Sequence, residues 1–208
     1  TTAQISKIGS AQISALSAAQ ISAIESQDVA NLTGDQVSSL TATQVRALSS
    51  SQLIAMTSDQ ISKIGTQQIS VFNAAQLSAL QTEDLAQLTE AQVQSISASA
   101  LQAMTTAQVS SLSAAKLAML TTSQVRALTA DQIKAVNASN LGGMSSGQVA
   151  ALTATQVGAL TTAQISNLST SQLASIANTS VAAMTTSQLA AINSTKVEKM
   201  TAGQIRSM

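Results

Sequence analysis

Glu83 and Asp84 are the one pair of adjacent carboxylates in a chain of 208 residues. Paired acids could perform general acid–base work or contribute to a Ca²⁺ site. They lack the alternating ligands of a calcium-binding loop, and beside a helix start they are expected as solvated charge favoured by the helix dipole. Other reactive side chains are missing: the chain has no Cys, His, Pro, Trp or Tyr, and Phe72 is its single aromatic residue. Disulfides, thiolate nucleophiles, imidazole bases and Cys/His zinc sites are therefore excluded. Ser, Lys and Asp are present, but no nucleophile elbow accompanies them. The chain reads as non-enzymatic, with no catalytic, cofactor-binding or metal-binding residue and no cofactor.

What the side chains do offer is hydroxyl and amide chemistry at fixed spacing. The length equals 26 octads with nothing left over, and the eight-residue register never slips from TTAQISKI at the start to TAGQIRSM at the end. The fifth place is Ile, Val or Leu in all 26 octads; the eighth is Leu, Ile or Met in 24, with Phe72 and Val136 in the other two. These are the expected core positions. The first place is Thr, Ser or Asn in 21 octads and the fourth is Gln in 19.

Thr/Ser-x-x-Gln is a capping box, in which the hydroxyl accepts from the N–H three residues on and the amide reaches back to the first N–H. The eighth-place aliphatic of the preceding octad and the fifth-place aliphatic then form a hydrophobic staple across the helix start, as in Leu48, Ser49, Gln52 and Leu53. Each octad is thus expected to begin a helix. The Gln column from Gln4 to Gln204 is explained by capping, although an amide ladder for a polymer or sugar is an alternative. Departures at Asp28, Asp84, Ala100, Lys116, Asn140, Ser180 and Lys196 put the capping box in doubt there.

Periodicity decides the architecture. In one continuous α-helix an octad would advance about 80° beyond two full turns, so its aliphatics would spiral around the rod instead of forming a stripe. In one continuous strand, spacings of three and five would send successive aliphatics to opposite faces, and the Ala and Gln content is poor for strands, which leaves a β-solenoid as the weaker alternative. The expected fold is all-α: a solenoid of two-turn helices, each with a Thr or Ser N-cap, whose paired aliphatics fuse into a narrow core. Two helices per superhelical turn, sixteen residues per coil and 13 coils is the simplest arrangement for 26 octads.

Nine basic and nine acidic residues give zero net charge, with only 9% of residues charged, so a nucleic-acid or anionic-membrane partner is not expected. Lys7, Lys63, Lys199 and Arg206 are expected as scattered surface charges. No apolar run is long enough for a transmembrane segment. The chain opens with Thr1, which points to a start inside a longer or processed polypeptide. Neither terminal octad is atypical: residues 1–208 read as a single array without capping repeats, with Ile5, Ile8, Ile205 and Met208 in core places. The array is expected to continue or to stack end to end on further copies, giving a filament. Asn137, Asn178 and Asn193 match the glycosylation acceptor pattern. Gly142, Gly143 and Gly147 mark a bend or a soft coil. Met56, Met104, Met144, Met184, Met200 and Met208 read as adaptable core filling.

The motif Thr-x-x-Gln-Val/Ile-x-Ala-Leu, as in TATQVRAL at 41–48, TTSQVRAL at 121–128 and TTAQISNL at 161–168, resembles the octapeptide arrays of very large bacterial surface and secreted proteins. The resemblance covers the whole chain and implies an extracellular or cell-surface structural stalk, with no catalytic residues to carry over. Its partner would be itself, as a homopolymer whose fibres could bundle laterally. The alternative is a secreted adhesin-type rod that binds glycan, ice or another surface through its Ser/Thr/Gln face.

Overall fold

A computed structural model describes Ile5 and residues 7–208; Thr1 and Gln4 of the first octad lie outside the described residues. Twenty-five helices have described bounds, from Ser10–Ser14 to Ala202–Ser207, and each begins at the second place of its octad. No strand occurs among the described residues. The fold is the expected all-α one. The helices are four to six residues long, a little under the expected two turns.

Capping sets the ends of the regular helices. Ser49 holds φ −75° and ψ 159°, and its side chain accepts from the Gln52 N–H. One residue earlier, Leu48 has φ −62° and ψ 133°. Two consecutive extended residues thus separate neighbouring helices. Before that break the Leu48 N–H bonds to the Val45 carbonyl at 3.2 Å, a tight last turn that closes after three residues instead of four. No residue among those described has positive φ, so the bends come from capping and not from left-handed glycines.

The chain divides into two compact units, Thr1–Met104 and Thr105–Met208. Within each unit a helix packs on the third helix along the chain. In the first unit Ala42–Ala47 lies against Ala18–Ser22 and Thr66–Ile69; in the second, Ala130–Ala135 lies against Thr106–Ser111 and Ala154–Ala159. This corrects the expectation of two helices per turn and sixteen residues per coil. An octad whose helix has six residues or fewer cannot double back on its neighbour, so the chain needs more than three octads to come around. Fifth- and eighth-place side chains fill the axis of each unit: Leu53, Ile61, Ile64, Leu77, Ile133 and Leu141 are fully buried.

Small residues permit the close approach between turns. A Cβ added at Gly143 would stand 2.6 Å from the Ala114 Cβ and 2.7 Å from the Ala114 carbonyl oxygen. Gly143, expected at a bend or soft coil, lies in the turn after Ala138–Leu141 and is also a contact that only hydrogen fits. Of the residues expected in core places near the termini, Ile5 and Ile8 are half-buried, while Ile205 and Met208 are 44% and 47% exposed.

Candidate functional site

The feature that repeats most faithfully is the fourth-place amide. In each regular octad the Gln Oε1 accepts from the N–H of the first residue; for Thr161 and Gln164 the distance is 2.8 Å. The Thr161 hydroxyl accepts the Gln164 N–H at 3.1 Å in return. This is the expected capping box. Helices at Thr105, Thr121 and Thr129 are closed in the same way by Gln108, Gln124 and Gln132.

The other half of the amide does something the sequence does not announce. Gln164 Nε2 donates to the carbonyls of Ile133 at 2.8 Å and Val136 at 2.7 Å, 31 and 28 residues earlier. The same pair of offsets recurs at Gln36, Gln44, Gln52, Gln76, Gln148, Gln156, Gln188 and Gln204. The receiving carbonyls belong to the fifth and eighth places, at the end of a helix where backbone acceptors have no helical donor. One buried side chain therefore caps the start of its own helix and the end of the helix four octads before it. Helices three apart pack and octads four apart are hydrogen-bonded, so each unit turns once in between three and four octads. The order parallels an α-helix in which octads stand for residues.

At some places where Gln is absent another side chain donates. Asn140 Nδ2 reaches the Leu112 carbonyl at 3.0 Å, Ser180 Oγ the Leu152 carbonyl at 3.4 Å, and Lys196 Nζ the Ser166 carbonyl. Burial lowers the pKa of Lys116, at another fourth place, by desolvating its ammonium. Ala100 offers no donor, yet Ser97 still caps its helix. At Asp28 the helix starts from Glu25 with no side-chain cap.

Glu83 is exposed, as expected, but Asp84 is not. Its carboxyl group is fully buried, which corrects the expectation of solvated charge: at this fourth place the side chain points between turns despite its polarity. The structure thus separates the two adjacent acids and brings Asp84 to Ser58 in the preceding turn. No group of three or more acidic residues gathers among the described residues.

Lys7, Lys63, Lys199 and Arg206 are exposed, as are Asn137, Asn178 and Asn193. Asn137 and Asn193 are N-caps. Met56, Met104, Met144, Met184 and Met200 are buried. In the first unit an open groove of about 520 Å³ is lined by Ser38, Thr41, Gly65, Thr66, Gln67 and Gln68. Ala42 links it to a smaller hollow beside Arg46 and Val71. No helix among the described residues is long and apolar enough to cross a membrane.

Residues 21–63 and 138–170 match the ALTTAQ repeat family. The chain is similar to ALTTAQ repeats. Ala159–Gln164 spells the six letters of that name, running from the end of one octad into the next. Physically the ALTTAQ segment is the staple residue Leu160 followed by the capping box of Thr161 and Gln164. No curated protein matches the sequence.

Proposed function

We propose that the chain is a non-enzymatic structural element of an extracellular filament, stalk or surface layer of a bacterium, extended by continuation of its octads or by stacking on further copies. The amide clamp carries this reading. Each octad is held by groups every regular octad possesses, so further octads can add by the same bonds, the condition for a fibrous object. Zero net charge leaves little repulsion between copies. Absence of Cys suits an exported protein free of stray disulfides, and the missing reactive side chains support a role without catalysis. Electron microscopy of the purified chain over a range of concentrations tests the proposal: unbranched fibres with a regular axial rise are expected, and isolated particles without longitudinal contact at every concentration would sink it.

The hydroxyl- and amide-lined groove between Ser38 and Gln68 favours one second reading, an adhesin that binds glycan through this face. It predicts soluble monomers retained on a glycan array.

A further inference from the structure

Asp84 is 0% exposed. Its Oδ2 takes over the capping task of Gln, accepting the Gln81 N–H at 2.8 Å, and its Oδ1 accepts from Ser58 Oγ at 2.7 Å. These are its polar partners among the described residues. In the preceding octad Gln76 Nε2 donates to the Val45 and Leu48 carbonyls, and in the following one Gln92 Nε2 donates to the Ile64 carbonyl at 2.6 Å. The same offsets from residue 84 lead to the carbonyls of Leu53 and Met56. Leu53 accepts only the Met56 N–H, and the Met56 carbonyl, in a residue 2% exposed, receives no donor among the described residues. By the octad register, a buried carboxylate is set toward two carbonyls that in neighbouring octads receive an amide nitrogen. The carboxylate and both carbonyls are acceptors, and no basic side chain pairs with Asp84 among the described residues, an arrangement that is costly inside a protein.

We propose that this place binds a hard cation, Ca²⁺, held by Asp84, the carbonyls of Leu53 and Met56, and the Ser58 hydroxyl. Oxygen ligands of this kind are what Ca²⁺ takes, at about 2.3–2.6 Å. Asp is one methylene shorter than Gln, so its carboxylate stops short of where a Gln amide nitrogen meets the two carbonyls. Coordination neutralises the buried carboxylate and satisfies the Met56 carbonyl together. With a single carboxylate the site is weak, with Kd on the order of 10⁻⁴–10⁻³ M, the range of extracellular modules. The ligands come from octads four apart, so no calcium-loop pattern marks the site in the sequence. Ala100 makes the contrast: at an equivalent place relative to the Phe72 carbonyl it offers no oxygen ligand of its own. This inference is independent of whether the chain forms filaments.

The test compares the full chain with Asp84→Asn and Asp84→Gln, each treated with chelator and then titrated with CaCl₂. Asn at such a place already reaches a carbonyl 28 residues back, as Asn140 does, so both variants restore a donor; either one suffices if the other fails to fold. The unsubstituted chain is expected to gain roughly 3–10 °C in Tm at ~10 mM Ca²⁺. NaCl at matched ionic strength should not reproduce the gain, and equilibrium dialysis should find one ion per chain. Both variants should melt at the same temperature with and without calcium. Absence of a calcium-dependent shift in the unsubstituted chain, or an equal shift in a variant, overturns the proposal.

Discussion

Gln156 Nε2 lies 2.7 Å from the carbonyl oxygen of Leu128, 28 residues earlier, while Oε1 of the same amide accepts the Thr153 N–H at 2.8 Å. The two ends of one amide thus make a local and a long-range bond at once, and exchanging one atom separates them.

Gln156→Glu keeps the acceptor and replaces the donor by a second acceptor facing the Val125 and Leu128 carbonyls. Loss of the donor and a buried charge should cost about 2–4 kcal/mol. The same substitution at exposed Gln20, which caps Ser17, should cost under about 0.5 kcal/mol. Urea denaturation with native-state hydrogen exchange at Val125–Leu128 reads both, and equal losses at the two sites would refute the long-range role.

Gly143→Ala forces a methyl group into the Ala114 side chain and carbonyl. Overpacking of this kind costs about 1–3 kcal/mol. Gly147→Ala, whose added Cβ meets nothing nearer than 3.7 Å, should be neutral or stabilise by up to about 1 kcal/mol through helix propensity. Thermal melts of the two variants should move in opposite directions.

Ala100→Gln places a donor toward the Ile69 and Phe72 carbonyls and an acceptor toward the Ser97 N–H. The Phe72 carbonyl has no donor among the described residues, so the substitution should stabilise by about 1–2 kcal/mol. A lower denaturation midpoint would mean that the turns have closed over the alanine.

Lys116 gives a pH-dependent prediction. Its folded pKa is lowered from 10.5 by desolvation, so the unfolded chain binds more protons at this site between the lowered value and 10.5. The destabilisation is full below the folded pKa and fades as pH rises toward 10.5. Lys116→Gln should therefore be more stable than the unsubstituted chain at pH 7, and the difference should shrink above pH 9. A difference constant with pH would rule out desolvation as its source.

Leu48, Ser49, Gln52 and Leu53 show how much was legible beforehand. Staple and capping box are interactions within one octad, so helix starts, the extended break and the buried fifth and eighth places could all be read from residue types and spacing. Asp84 shows the limit. Beside Glu83 it looks like surface charge, and only the stacking of turns reveals that its side chain points inward while its neighbour's points out. Gly143 shows a similar limit, since a local propensity cannot report an Ala114 backbone 29 residues away.

By itself, then, the sequence determined where the regular helices begin and which aliphatic columns form the core, because those depend on forces acting over a single octad. How far each turn travels before it meets itself was decided by the tertiary structure. That distance depends on the small rotation between successive helices, on the contact of every third one, and on the reach of an amide to carbonyls four octads back. None of these leaves a mark on the order of residues, since all regular octads are alike and any of them could have been the partner.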